Sequence, residues 1–199
     1  MPSRRFVVLD RDGTIVVERH YLSHPDQLEL LPEVGRGLRQ LQEMGLGLVL
    51  VTNQSAVGRG FIDAARLNEI HQRFRELLAR DGVTLEGIYY CPHRPEDRCG
   101  CRKPQTGLVD RASREHGFEP RDSFVIGDKM CDLELGHRMG ATTLLVRTGY
   151  GTQVAQTEQL ARDYVVDDLL DAARVIRGLL RGAQHVGASS LSASKGLGS

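Results

Sequence analysis

Short, uninterrupted apolar runs that each stop at a polar residue are what most narrows the folds open to this chain. Phe6 to Leu9 stops at Asp10, Gly47 to Val51 at Thr52-Asn53, and Ser123 to Ile126 at Gly127-Asp128. Gly87 to Tyr90, Thr142 to Val146 and Tyr164 to Val166 have the same character. Such runs are too short for helices and lack the alternation of a half-exposed strand. They fit parallel strands covered on both faces. Between them the apolar spacing becomes helical. Val34, Leu38, Leu41 and Met44 share one face, and Gly45 stops that helix. Leu67, Ile70, Phe74, Leu77 and Leu78 define a second helix over 63–80, with Asp63 as its N-cap. Further helices are predicted from about Thr106 to His116, from about Asp132 to Met139, and at the end to about Arg181. Strands alternating with helices predict an α/β chain with a doubly wound parallel sheet.

With 199 residues, the chain suits one domain, predicted over 1–181. Residues 182–199 are rich in Gly, Ala and Ser and are expected to form a disordered tail. Residues 14–32 are irregular and polar, and predict a flap. The formal net charge is zero, which gives no electrostatic draw toward nucleic acid or an anionic membrane. No apolar run reaches the ~18 residues a membrane span needs. The opening Met1-Pro2-Ser3-Arg4-Arg5 lacks the pattern of a signal peptide, so the cytoplasm is the expected compartment. Small size and balanced charge suit a monomer.

The polar residues that follow the strands form a constellation. The first strand delivers Asp10-Arg11-Asp12-Gly13-Thr14, the second Thr52-Asn53-Gln54-Ser55, and the fourth Gly127-Asp128-Lys129. Ligands of open α/β sheets bind at these carboxyl ends. Asp10 and Asp12 at one strand mouth, with Asp128 from another, would repel one another without a cation. Hard oxygen donors with room for water suit Mg²⁺. A cation there lets a carboxylate approach an anionic phosphorus. The Thr52 hydroxyl can donate to a phosphate oxygen, and Lys103 can stabilise charge in the transition state. Alone, each piece has an ordinary reading as a turn, a cap or a solvated charge. Their order and their shared placement after apolar strands carry the inference.

A second cluster is Cys91-Pro92-His93 followed by Cys99-Gly100-Cys101. In a chain without an export signal, three cysteines this close favour metal over disulfides. Cys91, His93, Cys99 and Cys101 make a closed set for a structural Zn²⁺. Cys131 lies outside the spacing and is expected to be an ordinary free thiol.

Asp10-Arg11-Asp12-Gly13-Thr14, Val51-Thr52-Asn53-Gln54, Lys103-Pro104 and Gly127-Asp128-Lys129 with Asp132 resemble, in order, the motifs of the haloacid dehalogenase superfamily of phosphatases. The resemblance covers most of residues 6–150. It implies a Rossmann-like fold, with Asp10 as the nucleophile that becomes an aspartyl-phosphate. Asp12 is then the general acid and later the base. Thr52 and Lys103 hold the phosphoryl group, and Asp10, the backbone carbonyl of Asp12, and Asp128 hold Mg²⁺. Asp132 is expected beside the metal or as a helix cap. No large cap domain fits between Thr14 and Thr52, where a helix and a strand already use the chain.

The Cys-His loop before Cys-Arg-Lys-Pro resembles a branch containing heptose bisphosphate phosphatases and histidinol-phosphate phosphatase domains. Thr52-Asn53-Gln54-Ser55 with Arg59-Gly60, Ile88-Tyr89-Tyr90-Cys91-Pro92-His93, and Leu145-Val146-Arg147-Thr148-Gly149 resemble the heptose side. The implied substrate is a small sugar bisphosphate that loses its 7-phosphate. The heptose 1-phosphate formed would feed ADP- or GDP-activated heptose synthesis. Arg102 is expected to grip the second phosphate, with Lys129, Asn53, Gln54 and Ser55 near the reacting one. Glu18, Arg19, His20 and Tyr21 in the flap are candidates for sugar contacts. Histidinol phosphate as substrate, and a zinc-stabilised binding module without catalysis, stand as alternatives.

Overall fold

The computed structural model describes residues 4–157 and 163–192. The apolar runs form β1 (Phe6–Leu9), β2 (Gly47–Asn53), β3 (Gly87–Cys91), β4 (Phe124–Gly127), β5 (Thr142–Val146) and β6 (Tyr164–Val166). All pair in parallel, in one six-stranded sheet ordered β3-β2-β1-β4-β5-β6. Chain order reverses direction between β1 and β4, so the crevice for a ligand opens at their carboxyl ends.

Successive side chains of a strand point to opposite faces, and both faces here are apolar. Val7 and Leu9 join Leu48, Leu50, Phe124 and Ile126 in one core layer. Helices α1 (Val34–Glu43), α3 (Ala64–Arg80) and α7 (Leu169–Ser192) close that layer with Leu38, Phe74 and Ile176. Phe6 and Val8 face the other way, with Val49, Val51 and Tyr89. That layer packs on Val109 and Ala112 of α4 (Gly107–His116) and Leu135 of α5 (Met130–Met139). Each fully buried Leu, Ile or Phe stabilises by roughly 1.5–3 kcal/mol, so the central strands are held from above and below. The Asp63 side chain accepts from the Arg66 amide and caps α3 as expected.

Several boundaries differ from the sequence expectation. β2 runs on to Asn53 and β3 to Cys91, because strand pairing continues past the apolar run. Two short helices, α2 (Ser55–Gly58) and α6 (Gly151–Ala155), fill segments that carry no periodic pattern. The flap is less detached than its polarity implies. Ile15, Val16, Leu22 and Leu28 are buried in the core, and Val16 bridges to Asp12 and Leu30. α7 is helical through Ser192, so the boundary placed at 181 falls inside a helix; extending an existing helix costs far less than starting one. The rest of the expected tail, 193–199, lies outside the described residues. Among the described residues no helix is long and apolar enough to cross a membrane.

Candidate active site

Asp10 is the first residue past β1, and its amide still donates to Ile126 O at 3.0 Å. It is 6% exposed, and Asp128 is fully buried just past β4. Asp132 lies in the first turn of α5, where one carboxylate oxygen accepts from the Lys129 amide at 3.1 Å. Oxygens of Asp10, Asp128 and Asp132 all lie within 4.8 Å of one another. Gly13 (φ +86°) and Gly149 (φ +55°) press their backbones against Asp128, so a side chain at either position would collide with its carboxylate.

Two ammonium groups face these three carboxylates. Lys103 Nζ sits 2.8 Å from Asp10 Oδ1 and 2.7 Å from Asp132 Oδ1, and all three side chains are buried. Lys129 Nζ lies 2.7 Å from Glu18 Oε2, 3.2 Å from the Asp12 carbonyl, and 4.0 Å from Asp128 Oδ1. Burial works against ionisation of Asp10, but the charges of Lys103 and then Lys129 outweigh it and hold this carboxyl low. Asp128 goes the other way. Burial, reinforced by the charge of Asp10, pushes it up to about 7. Burial also raises Asp132. The cluster therefore has one carboxylate kept ionised and two whose ionisation is costly. A divalent cation removes that cost, and the oxygen donors of Asp10 and Asp128 fit Mg²⁺.

The second strand supplies the opposite wall. Thr52 is 1% exposed, and its Oγ1 accepts from Gln54 Nε2 at 2.9 Å, which leaves the hydroxyl proton free to donate. Asn53 forms a two-bond clamp on the Lys103 backbone. Its Nδ2 donates to Lys103 O at 3.2 Å, and its Oδ1 accepts from Lys103 N at 3.0 Å. Gln54 bonds Asp12, Thr52 and Arg11. Asn53 and Gln54 are thus committed to protein groups, although both line the cavity of about 70 Å³ at the strand ends. That cavity is also lined by Asp12, Glu18, His20, Tyr21, Ser55 and Lys129. Arg19 turns to Glu29 at 2.6 Å and does not line it. Arg102 lines a separate cavity of about 440 Å³ with Arg98 and Lys103, on the cysteine loop, and donates to His93 O at 3.3 Å. Arg59 pairs with Glu96 at 3.8 Å.

The cysteine cluster comes together as its spacing predicts. Cys91 ends β3, and its Sγ lies 3.5 Å from Cys99 Sγ and 3.3 Å from Cys101 Sγ. His93 Nδ1 is 3.2 Å from Cys101 Sγ and 3.6 Å from Cys91 Sγ. A tetrahedral site with Zn–S near 2.3 Å has edges of about 3.8 Å; these separations are a few tenths of an ångström shorter, close enough for one soft ion to draw on all four donors. Cys131 is apart from this set, in the first turn of α5, where burial and then the charge of Asp132 push its thiol up to about 12. Sequence reasoning gave Arg11 no role, yet it is among the largest fully buried side chains and binds Asp12. Its place between Asp10 and Asp12, just past β1, was the available signal.

The chain has known relatives. The HAD-hyrolase-like family model matches residues 100–172. A D-glycero-beta-D-manno-heptose-1,7-bisphosphate 7-phosphatase from Haemophilus ducreyi is 39% identical, over 84% of this chain and 96% of that protein. A D-glycero-alpha-D-manno-heptose-1,7-bisphosphate 7-phosphatase from Mycobacterium tuberculosis is 43% identical, over 67% of this chain and 72% of that protein. Among solved structures, D,D-heptose 1,7-bisphosphate phosphatase from B. bronchiseptica, complexed with magnesium and phosphate, superposes with a TM-score of 0.82. It is 32% identical, over 87% of this chain and 98% of that one. Identity of this extent, along nearly the full length of such relatives, settles the kinship: the chain belongs to the heptose-1,7-bisphosphate 7-phosphatase family of haloacid-dehalogenase-like hydrolases, which are phosphoric monoester hydrolases.

Proposed function

We propose that the protein hydrolyses the 7-phosphate of D-glycero-D-manno-heptose 1,7-bisphosphate through an aspartyl-phosphate on Asp10, with Mg²⁺ as cofactor. The observation that carries this reading is the pairing of Asp10 with Lys103 at 2.8 Å beside Asp128. It keeps one carboxylate ionised next to oxygens that suit a divalent cation. Asp10, the Asp12 carbonyl and Asp128 would hold Mg²⁺, which would supply charge that offsets the repulsion of nucleophile and phosphoryl group.

The chain's own groups account for the rest. The Asp10 oxygen not paired with Lys103 attacks phosphorus, and the bond to the sugar oxygen breaks. Asp12 gives that oxygen its proton. Lys103 and the free Thr52 hydroxyl proton hold the phosphoryl oxygens where charge accumulates. In the second half Asp12, now ionised, takes a proton from water. The water oxygen displaces Asp10 from phosphorus, and phosphate leaves. Glu18, His20, Tyr21 and Ser55 line the cavity where the sugar sits, and Arg102 on the cysteine loop grips the second phosphate. Cys91, His93, Cys99 and Cys101 hold a structural Zn²⁺ that fixes this loop. The product, heptose 1-phosphate, serves ADP- or GDP-activated heptose synthesis, and we assign the enzyme to the cytoplasm as a monomer.

Phosphate release from both anomers of the heptose 1,7-bisphosphate and from histidinol phosphate, measured side by side, tests the substrate. We expect either heptose anomer to be preferred. A kcat/KM at least about tenfold higher on histidinol phosphate, roughly 1.4 kcal/mol of transition-state preference, overturns it. Absence of Mg²⁺-dependent release from these esters or a generic aryl phosphate favours a binding module instead.

A further inference from the structure

Arg11 has no part in the chemistry set out above, yet its burial is costly. It is 1% exposed, in a site where a guanidinium loses its water. Its Nε donates to Asp12 Oδ1 at 3.1 Å, and its Nη2 donates to Asp12 Oδ1 at 3.0 Å and Oδ2 at 2.9 Å. The same Nη2 donates to Gln54 Oε1 at 2.9 Å. Gln54 in turn donates from Nε2 to Asp12 Oδ2 and to Thr52 Oγ1, both at 2.9 Å. Asp12 is thus gripped by its own neighbour after β1 and by a residue after β2.

This network is not built for stability alone. Arg11 Nη1 is buried with no hydrogen-bond partner, and so is Nε2 of His71 on α3. Burial, then the positive charge of Arg11, keeps the His71 imidazole neutral by pushing its pKa down to about 3. Folded proteins keep few such unmet groups, and each needs a reason. A planar guanidinium that bonds a carboxylate through two nitrogens fixes its plane as well as its position.

We infer that Arg11 and Gln54 are positioning residues that lock the Asp12 carboxyl in the orientation from which it gives a proton to the leaving oxygen and later takes one from water. The inference rests on the reading of Asp12 as the acid and base. In the first half-reaction the P–O bond to the leaving group breaks as the Asp10–phosphorus bond forms, and the Asp12 proton goes to the leaving oxygen. In the second, a water proton goes to Asp12 while the water oxygen takes the phosphorus from Asp10. Both transfers need the same carboxyl edge within hydrogen-bond reach.

Leaving-group dependence separates positioning from general loss of structure. A dinitrophenolate leaves without a proton, whereas an alkoxide needs one. The test is the first-turnover rate, with Mg²⁺, on dinitrophenyl phosphate and on an alkyl ester, the heptose bisphosphate or glycerol 3-phosphate. We expect Arg11→Lys and Gln54→Leu to slow the alkyl ester about 30- to 100-fold, the low end of what acid catalysis supplies. The aryl ester should slow by less than about threefold, with a burst of phenolate before a slow steady state. Adding Gln54→Leu to Asp12→Asn should cost little more, since the two changes remove one coupled unit. Equal losses on both esters, or none on either, overturn the inference. If Arg11→Lys does not fold, Gln54→Leu carries the same comparison. Asp12→Asn is the control. If it shows the leaving-group effect and the other variants do not, only the positioning role falls; if it shows none, the acid–base reading falls, and the positioning role with it.

Discussion

Two clusters of metal-type ligands lie among the described residues, and they are supported in opposite ways. The carboxylates of Asp10, Asp128 and Asp132 are buried at strand and helix ends that the core already fixes. Of the cysteine set, Cys91 ends β3 and is buried, but His93, Cys99 and Cys101 belong to a loop that has almost no core of its own. From Pro92 to Thr106, Lys103 is the one buried residue. The first cluster is therefore shaped by the fold, and the second shapes it. Damage to the first should appear in chemistry, and damage to the second in stability and loop order.

Asp10→Asn gives the largest expected effect. It removes the nucleophile, and losses on the order of 10⁴–10⁶ in kcat are typical when one member of a catalytic unit goes. The melting temperature should change little, because one of three crowded carboxylates is neutralised; residual turnover within about tenfold of the parent would end the nucleophile assignment. Lys103→Met comes next, with a loss of about 10²–10³ in kcat. It should also destabilise by several kcal/mol, since Asp10 and Asp132 lose their buried partner. A variant that kept full stability would show that the carboxylate cluster tolerates its own charge without its buried counter-ion.

Cys99→Ser should lower bound zinc, measured by elemental analysis, and reduce the melting temperature by several degrees, with a smaller change in kcat than in KM. A fall in kcat as large as that of Asp10→Asn would break the comparison, and a zinc-free parent protein would remove its second half. The smallest effect concerns pH. Asp128 is raised from 3.8 to about 7, first by burial and then by Asp10. A raised carboxyl favours the metal-free fold at low pH, and that contribution is lost as pH rises through 7. His71 acts in the opposite sense: its contribution is present above 6.5 and lost as pH falls toward 3, with or without metal. The increase in melting temperature on adding Mg²⁺ isolates the carboxylates. It should be larger at pH 8 than at pH 5, by a few degrees; equal increases would mean that Asp128 does not meet the ion.

The strands were legible because burial on both faces leaves an unbroken apolar run. The polar residues after them were legible because a strand end in such a sheet faces a ligand crevice. What was hidden depends on contacts distant in sequence. Asn53 and Gln54 look like substrate contacts, but their partners, Lys103 and Arg11, arrive from other strands and loops. Arg11 looks solvated until β2 and α3 close over it. The flap looks loose because Ile15, Val16, Leu22 and Leu28 have no regular spacing, although each reaches the core.

The cysteine ligands also differ from the carboxylates in the order in which they become available. Cys91 through Cys101 is a short segment, and closing so small a loop costs little entropy. Those ligands can gather around a soft ion while the sheet is still incomplete. Asp10 and Asp128 meet only after β1 pairs with β4, across most of the chain. Contacts of that separation form late and slowly. The same protein therefore carries one ligand set that can gather before folding is complete and another whose assembly reports its completion.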